Sequence, residues 1–139
     1  MNSLNPQPIA YALLRIALGL NIFIHGAGRL GASYQKFVEA TIALFKDSPL
    51  PDFAVQSFAH CIPPLELVFG ILILLGIFTL PALIGGTLFM IGLMAGMCVL
   101  QKWEIVGIQM IYIFLFAVLV FTIHYNSFSV DRLFSKKER

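Results

Sequence analysis

At 139 residues the chain has room for one domain, and its 59% apolar content, 12% charged content and mean hydropathy of +0.90 lie far from the soluble average. That composition excludes a water-soluble globular enzyme and predicts an integral membrane protein whose first partner is the lipid bilayer. The formal charge of +2 is mixed in origin, with Lys136, Lys137 and Arg139 in a short basic tail, which excludes a nucleic-acid surface.

A helical span needs about 20 apolar residues to cross roughly 30 Å of hydrocarbon. Pro8 opens the first span, about residues 9–26, where Ile9 to Ile24 is apolar apart from Arg15 and Asn21 and His25-Gly26 closes the run. No Lys or Arg precedes it and Arg15 interrupts it, so it is expected to be retained rather than cleaved as a signal peptide. In the long connection that follows, Tyr34, Phe37, Val38, Thr41, Ile42 and Phe45 recur at helical spacing, with Gln35, Lys36, Glu39 and Lys46 largely elsewhere on the wheel. This predicts a helix over about 33–46 that lies in the interface or caps the bundle. Asp47-Ser48-Pro49-Leu50-Pro51 then breaks it.

Span two covers about 60–78, with Pro63-Pro64 near its start and Glu66 within it. Span three covers about 81–100, span four about 105–125, and a basic tail occupies 126–139. The expected fold is an all-α integral membrane protein, an antiparallel bundle of four transmembrane helices in one domain, with an interfacial helix between spans one and two. Both termini then share a side. Arg132, Lys136, Lys137 and Arg139 balance Arg29, Lys36, Lys46 and Lys102 opposite, and the compactness of the tail cluster favours cytoplasmic termini in a bacterial-type inner membrane.

Ionisable residues inside spans are functional candidates by default. Arg15 and Glu66 are expected to reach one middle layer and to pair there, relieving two desolvation penalties together. Gly19, Gly26 and Gly70 allow close helix approach, and Gly92-x-x-x-Gly96 reads first as packing within the chain, with a homo-oligomer left open. A second cluster collects His25, His60, Cys61, Met97, Cys98 and Gln109 at the long-connection face.

Three chemistries suit that layer. A His or Arg donor beside a carboxylate would hold a quinone headgroup by its carbonyl oxygens. His25, His60 and Cys98 would instead ligate haem iron or copper. Cys61 and Cys98 would exchange thiols on an oxidising face. Plainer readings stand beside each: histidines as polar helix ends, Met90, Met94 and Met97 as core, cysteines as buried small side chains, and Trp103 as an interface anchor. Tyr112 and Tyr125 are placed to touch a ring substrate, with an aromatic belt at the membrane interface as the plainer reading.

The run Leu14-Arg15, Gly19 and His25-Gly26-Ala27-Gly28-Arg29-Leu30, the mid-chain Ser48-Pro49-Leu50-Pro51, and Pro64-Leu65-Glu66 with Gly70 and Leu74-Leu75-Gly76-Ile77-Phe78-Thr79 resemble the DoxX family of small four-span membrane proteins, over about residues 13–96. The resemblance implies a four-helix bundle associated with electron transfer to or from quinone. Relatives include the small subunit of a thiosulfate:quinone oxidoreductase, and the wider group is similar to MauE-type proteins that assist periplasmic redox maturation. By position the family's polar motif falls on Arg15, His25, Gly26 and Glu66. The expectation is a membrane subunit of a quinone-linked redox system. Arg15, His25 and Glu66 are its chemical residues, and Asn21, Gln109 and Tyr112 join them around the quinone. No second redox centre is evident, so a partner protein is expected to exchange the electrons. A haem- or metal-binding membrane protein and a non-catalytic scaffold or permeation protein remain alternatives.

Overall fold

The computed structural model describes residues 5–135, and Lys136, Lys137 and Arg139 of the basic tail lie outside the described residues. In chain order the helices are α1 (Pro6–Arg29), α2 (Tyr34–Leu44), α3 (Asp52–Leu75), α4 (Thr79–Val99), α5 (Trp103–Phe121) and the short α6 (Val130–Ser135). Four of them, α1, α3, α4 and α5, are long and apolar enough to cross a membrane. The chain is an all-α, multi-pass membrane protein.

Local chemistry sets the boundaries. Asn5 caps α1 by accepting from the Gln7 amide, and Pro6 occupies the first turn, where its missing N–H has no partner to lose. The sequence reading starts span two at residue 60, but α3 begins at Asp52, directly after Pro51, with the Asp52 carboxylate in its first turn. Pro63 and Pro64 therefore lie inside the helix, and His60 sits two turns in from its start. At its other end Gly76 takes the left-handed conformation, φ 68°, and Ile77 N–H returns to Leu72 O at 2.9 Å, closing the last turn. Phe78, also left-handed at φ 46°, leads directly into α4.

The tightest contact in the bundle is between α1 and α3. Gly19 meets the backbone of Leu74, Gly26 that of Leu67, and Gly70 that of Phe23, and a Cβ added to any of the three would stand 2.4 Å from a backbone nitrogen. In lipid, where apolar burial between helices gains little, such backbone approach through van der Waals packing is what holds two spans together. The antiparallel register follows: Gly26 lies level with Leu67, and Gly19 with Leu74.

The glycines of α4 serve differently, as seats for aromatic rings. Phe69 of α3 sits against Gly85, Phe116 of α5 against Gly86, Phe58 of α3 against Gly92, and Phe45, just after α2, against Gly96. Both glycines of the G-x-x-x-G pattern are thus occupied within the chain. Tyr11, Leu18, Ile22, Ile73, Leu83, Phe116 and Leu119 form the buried core between the α1–α3 pair and the α4–α5 hairpin. Toward the α2 end the two halves diverge, and the space between them is a cavity.

Candidate functional site

The cavity measures about 680 Å³, within the range of small-molecule sites. Its walls are mostly apolar, with Phe69, Phe89, Met90 and Phe116 at depth, while α2 closes one end through Phe37 and Thr41. Polar groups gather on the α1, α3 and α5 sides: Asn21, His25, Arg29, Glu66, Gln109 and Tyr112.

Glu66 anchors this wall. Its side chain is 9% exposed and pairs through Oε1 with the Arg29 guanidinium, itself 31% exposed, while Oε2 is buried with no hydrogen-bond partner. The pair forms here because Gly26 brings the two backbones together beside Glu66, so the Arg29 side chain, one turn further along α1, reaches across without extending into lipid. The same guanidinium stands 4.7 Å above the Phe37 ring of α2, a cation–π contact that ties the cavity's closing helix to the charge pair. Gln109 Oε1 is a second buried acceptor on the cavity wall with no partner. Tyr112 donates to Asn21 Oδ1 at 2.7 Å, joining α5 to α1. His25 is exposed at the mouth.

Arg15 is elsewhere, and the expected Arg15–Glu66 pair is corrected. The Arg15 guanidinium donates to Ile73 O at 2.6 Å and Leu74 O at 2.7 Å, carbonyls in the last turn of α3, and to Phe128 O at 2.7 Å. It contacts the position of Gly76, ten residues and so roughly 15 Å along α3 from Glu66. The glycine contacts that set Gly26 level with Leu67 and Gly19 level with Leu74 put Arg15 level with the turn after α3 and Arg29 beside Glu66, which separates the two charges. Around the same turn, Asp131 accepts from the amides of Phe78 and Thr79, each at 2.8 Å, and from the Thr79 hydroxyl at 2.7 Å, while Asn126 donates to that hydroxyl at 3.0 Å. The segment after α5 thereby caps the start of α4, and Arg15 caps the end of α3. This is a structural polar cluster remote from the cavity.

The layer of His25, His60, Cys61 and Cys98 does not assemble either. His60 faces Tyr34 of α2, whose hydroxyl lies 2.9 Å from its Nδ1, and neither His60 nor a cysteine lines the cavity. Cys61 and Cys98 are free thiols, and Cys61 is exposed. Among the described residues no three His, Cys, Asp or Glu side chains stand close enough together to hold a metal ion, so the alternative set His25, His60 and Cys98 is not brought together. Gln109 and Met97 of that layer do line the cavity.

Arg29 is the residue that sequence reasoning misses as a site member, since it enters there as a basic residue flanking span one and as part of the His25–Leu30 motif, not as the partner of Glu66. The available signal was a spacing: Asn21, His25 and Arg29 recur every four residues and form one polar stripe on α1.

A protein-family model described as DoxX matches residues 10–99. No curated protein and no solved structure matches the chain.

Proposed function

The chain belongs to the DoxX family, and from that premise we propose that it is the membrane subunit of a quinone-linked redox system, with the quinone headgroup held in the cavity beside Glu66. The observation that carries this reading is the buried, unpartnered Glu66 Oε2 on the wall of a largely apolar cavity of about 680 Å³. A carboxylate placed there is costly unless it is used. A quinone supplies acceptor oxygens for hydrogen bonds and takes up two electrons and two protons on full reduction.

The chain's residues have distinct parts in this reading. Arg29 holds the Glu66 carboxylate and presents guanidinium N–H groups to the cavity. Glu66 accepts or returns a proton at Oε2. His25, exposed at the mouth and within electrostatic reach of Glu66, exchanges that proton with the outside. The Tyr112 hydroxyl and the Gln109 amide are the hydrogen-bond donors on the α5 side. Arg15 has no part in the chemistry and acts only by fixing the end of α3. Electrons pass to or from a partner protein, and the compact basic tail supports a cytoplasmic side of an inner membrane for the termini.

The test is purification in mild detergent, followed by solvent extraction and quantification of bound quinone, for the unaltered chain and for Glu66→Leu. Near-stoichiometric quinone that is lost in the folded variant supports the reading. Absence of quinone from the unaltered chain, together with failure to bind a short-chain benzoquinone, overturns it. Metal content and the visible spectrum of the same sample test the haem and copper alternatives.

A further inference from the structure

Resting on the quinone reading above, we infer that the cavity is loaded sideways from the bilayer through a gap between α1 and α5, and that its substrate is a lipid-soluble ring compound whose apolar chain remains in that gap. Residues that line a cavity and are also exposed on the outer surface mark an opening. Asn21 and His25 on α1 and Ile105 and Ile108 on α5 meet both conditions, with Ile108 56% exposed. A shallower depression of about 300 Å³, lined by Asn21, Ile24, His25, Gly28 and Arg29, continues the opening along the outside of α1.

Leu44, Leu50, Phe58, Ala95 and Val99 also line the cavity and reach the surface around its α2 end, and the α1–α5 gap is singled out because the polar lining groups Asn21, His25, Gln109 and Tyr112 flank it. Elsewhere the helices are held together by packing. Between α1 and α3 the backbones touch at three glycines. Between α3 and α4 the rings of Phe58 and Phe69 fill the seats at Gly92 and Gly85. At the end of the bundle α2 is held by Val38, 1% exposed, and by the Tyr34 hydroxyl on His60.

Depth identifies what enters. Tyr112 lies midway along α5 and Ile105 near its start, so the gap spans roughly 10 Å of the hydrocarbon layer on one side of the membrane centre. Its outer lips are apolar, with Leu20, Ile24, Ile108 and Ile111 all exposed, a surface that suits an alkyl or isoprenoid chain. The Asn21–Tyr112 hydrogen bond crosses the gap at its deep end. An amide and a phenol at that depth need partners. They satisfy each other when the gap is empty, and both are available to a polar ring that passes between them. Such a ring comes to rest toward Glu66, with its chain trailing back into lipid.

The experiment uses the full chain in phospholipid vesicles and two photoreactive benzoquinones, one bearing a diazirine on the ring and one at the end of its alkyl chain. After illumination the labelled residues are mapped by mass spectrometry, and only labelling suppressed by excess unmodified quinone is counted. The ring probe is expected on Met90 or Gln109, and the chain probe on Ile24, Ile108 or Ile111. Ile108→Trp, which narrows the gap from an exposed position, is expected to lower specific chain labelling roughly tenfold, while Ile108→Ala preserves it. Circular dichroism checks that both variants are folded. Ring labelling in the cavity with chain labelling on α2 or the outer face of α4 overturns sideways loading while leaving the quinone reading intact. Absence of specific ring labelling in the cavity overturns the quinone reading and this inference with it.

Discussion

Arg29 of α1 and Glu66 of α3 form an ion pair beside Gly26, the point at which the backbones of the two helices meet. Among the described residues the pair is the one place where a carboxylate faces the cavity, and its partner also reaches the helix that closes the cavity's end.

Breaking that pair from the cationic side leaves a buried carboxylate without compensation. Arg29→Leu is expected to destabilise the bundle by roughly 3–5 kcal/mol, whereas Arg29→Leu combined with Glu66→Leu recovers most of the loss, because a buried ion pair and an apolar replacement are close in net stability. Denaturant titration in mixed micelles, followed by circular dichroism, measures both. A double variant as unstable as Arg29→Leu alone would show that the pair is not the source of the effect.

Arg15 should behave as a structural residue. Arg15→Leu removes three donated hydrogen bonds, taking that donor from the carbonyls of Leu74 and Phe128 and leaving Ile73 O with the longer bond from the Gly76 amide at 3.2 Å. With roughly 1.5–3 kcal/mol for each hydrogen bond to a charged group, and incomplete additivity, a loss of about 3–5 kcal/mol is expected. Quinone content of the folded fraction should stay unchanged. A folded Arg15→Leu protein that has lost quinone would return Arg15 to the site.

The glycines of α1 should differ sharply over a two-residue interval. Gly26→Ala puts a Cβ 2.4 Å from the Leu67 nitrogen, where only helix separation relieves the clash, while the Gly28 position has open space within 4 Å. Gly26→Ala is expected to cost roughly 1–3 kcal/mol or more and to disturb the Arg29–Glu66 contact. Gly28→Ala is expected to be neutral or to gain a few tenths of a kcal/mol from helix propensity. Thermal unfolding of the pair of variants in one detergent is the comparison to make.

Acid should loosen the segment after α5 late. Burial works against the Asp131 carboxylate, but hydrogen bonds from the amide and hydroxyl of Thr79 and from the Phe78 amide, aided by the Arg15 charge, outweigh it and hold its pKa below the ordinary 3.8. A lowered folded pKa means that the stabilisation is complete above the unfolded value and is lost as pH falls through the folded one. Protection of the Phe78 and Thr79 amides in hydrogen exchange should therefore persist through mildly acidic pH and fail only below 3.8. In Asp131→Asn that protection should be weak already at neutral pH.

The membrane class and the helical architecture were legible because lipid imposes a hydropathy and a length that soluble segments do not share. The α2 stripe was legible by its period, and Glu66 because a carboxylate in a span has few idle explanations. What could not be read was register. Whether Arg15 or Arg29 meets Glu66 depends on how α1 and α3 are aligned lengthwise, which the glycine contacts fix, and the stretch from Asp52 to Ala59, polar enough at Asp52, Gln56 and Ser57 to pass for connection, hides that α3 runs on past the end of α1. His60 lies in that extension, beyond the end of α1, where it meets Tyr34 of α2. The role of Arg15 was hidden for a related reason: its partners are backbone carbonyls, which leave no mark in the identity of the residues that carry them.

The cap that Asp131 places on Thr79 also bears on how the protein is made. The two residues are 52 positions apart, and at 5–20 residues per second the ribosome delivers the second roughly 3–10 s after the first. Throughout that interval the turn between α3 and α4 lacks its carboxylate, and Arg15 lacks the Phe128 carbonyl. The connection between the second and third spans is thus completed only by a segment made after both of them.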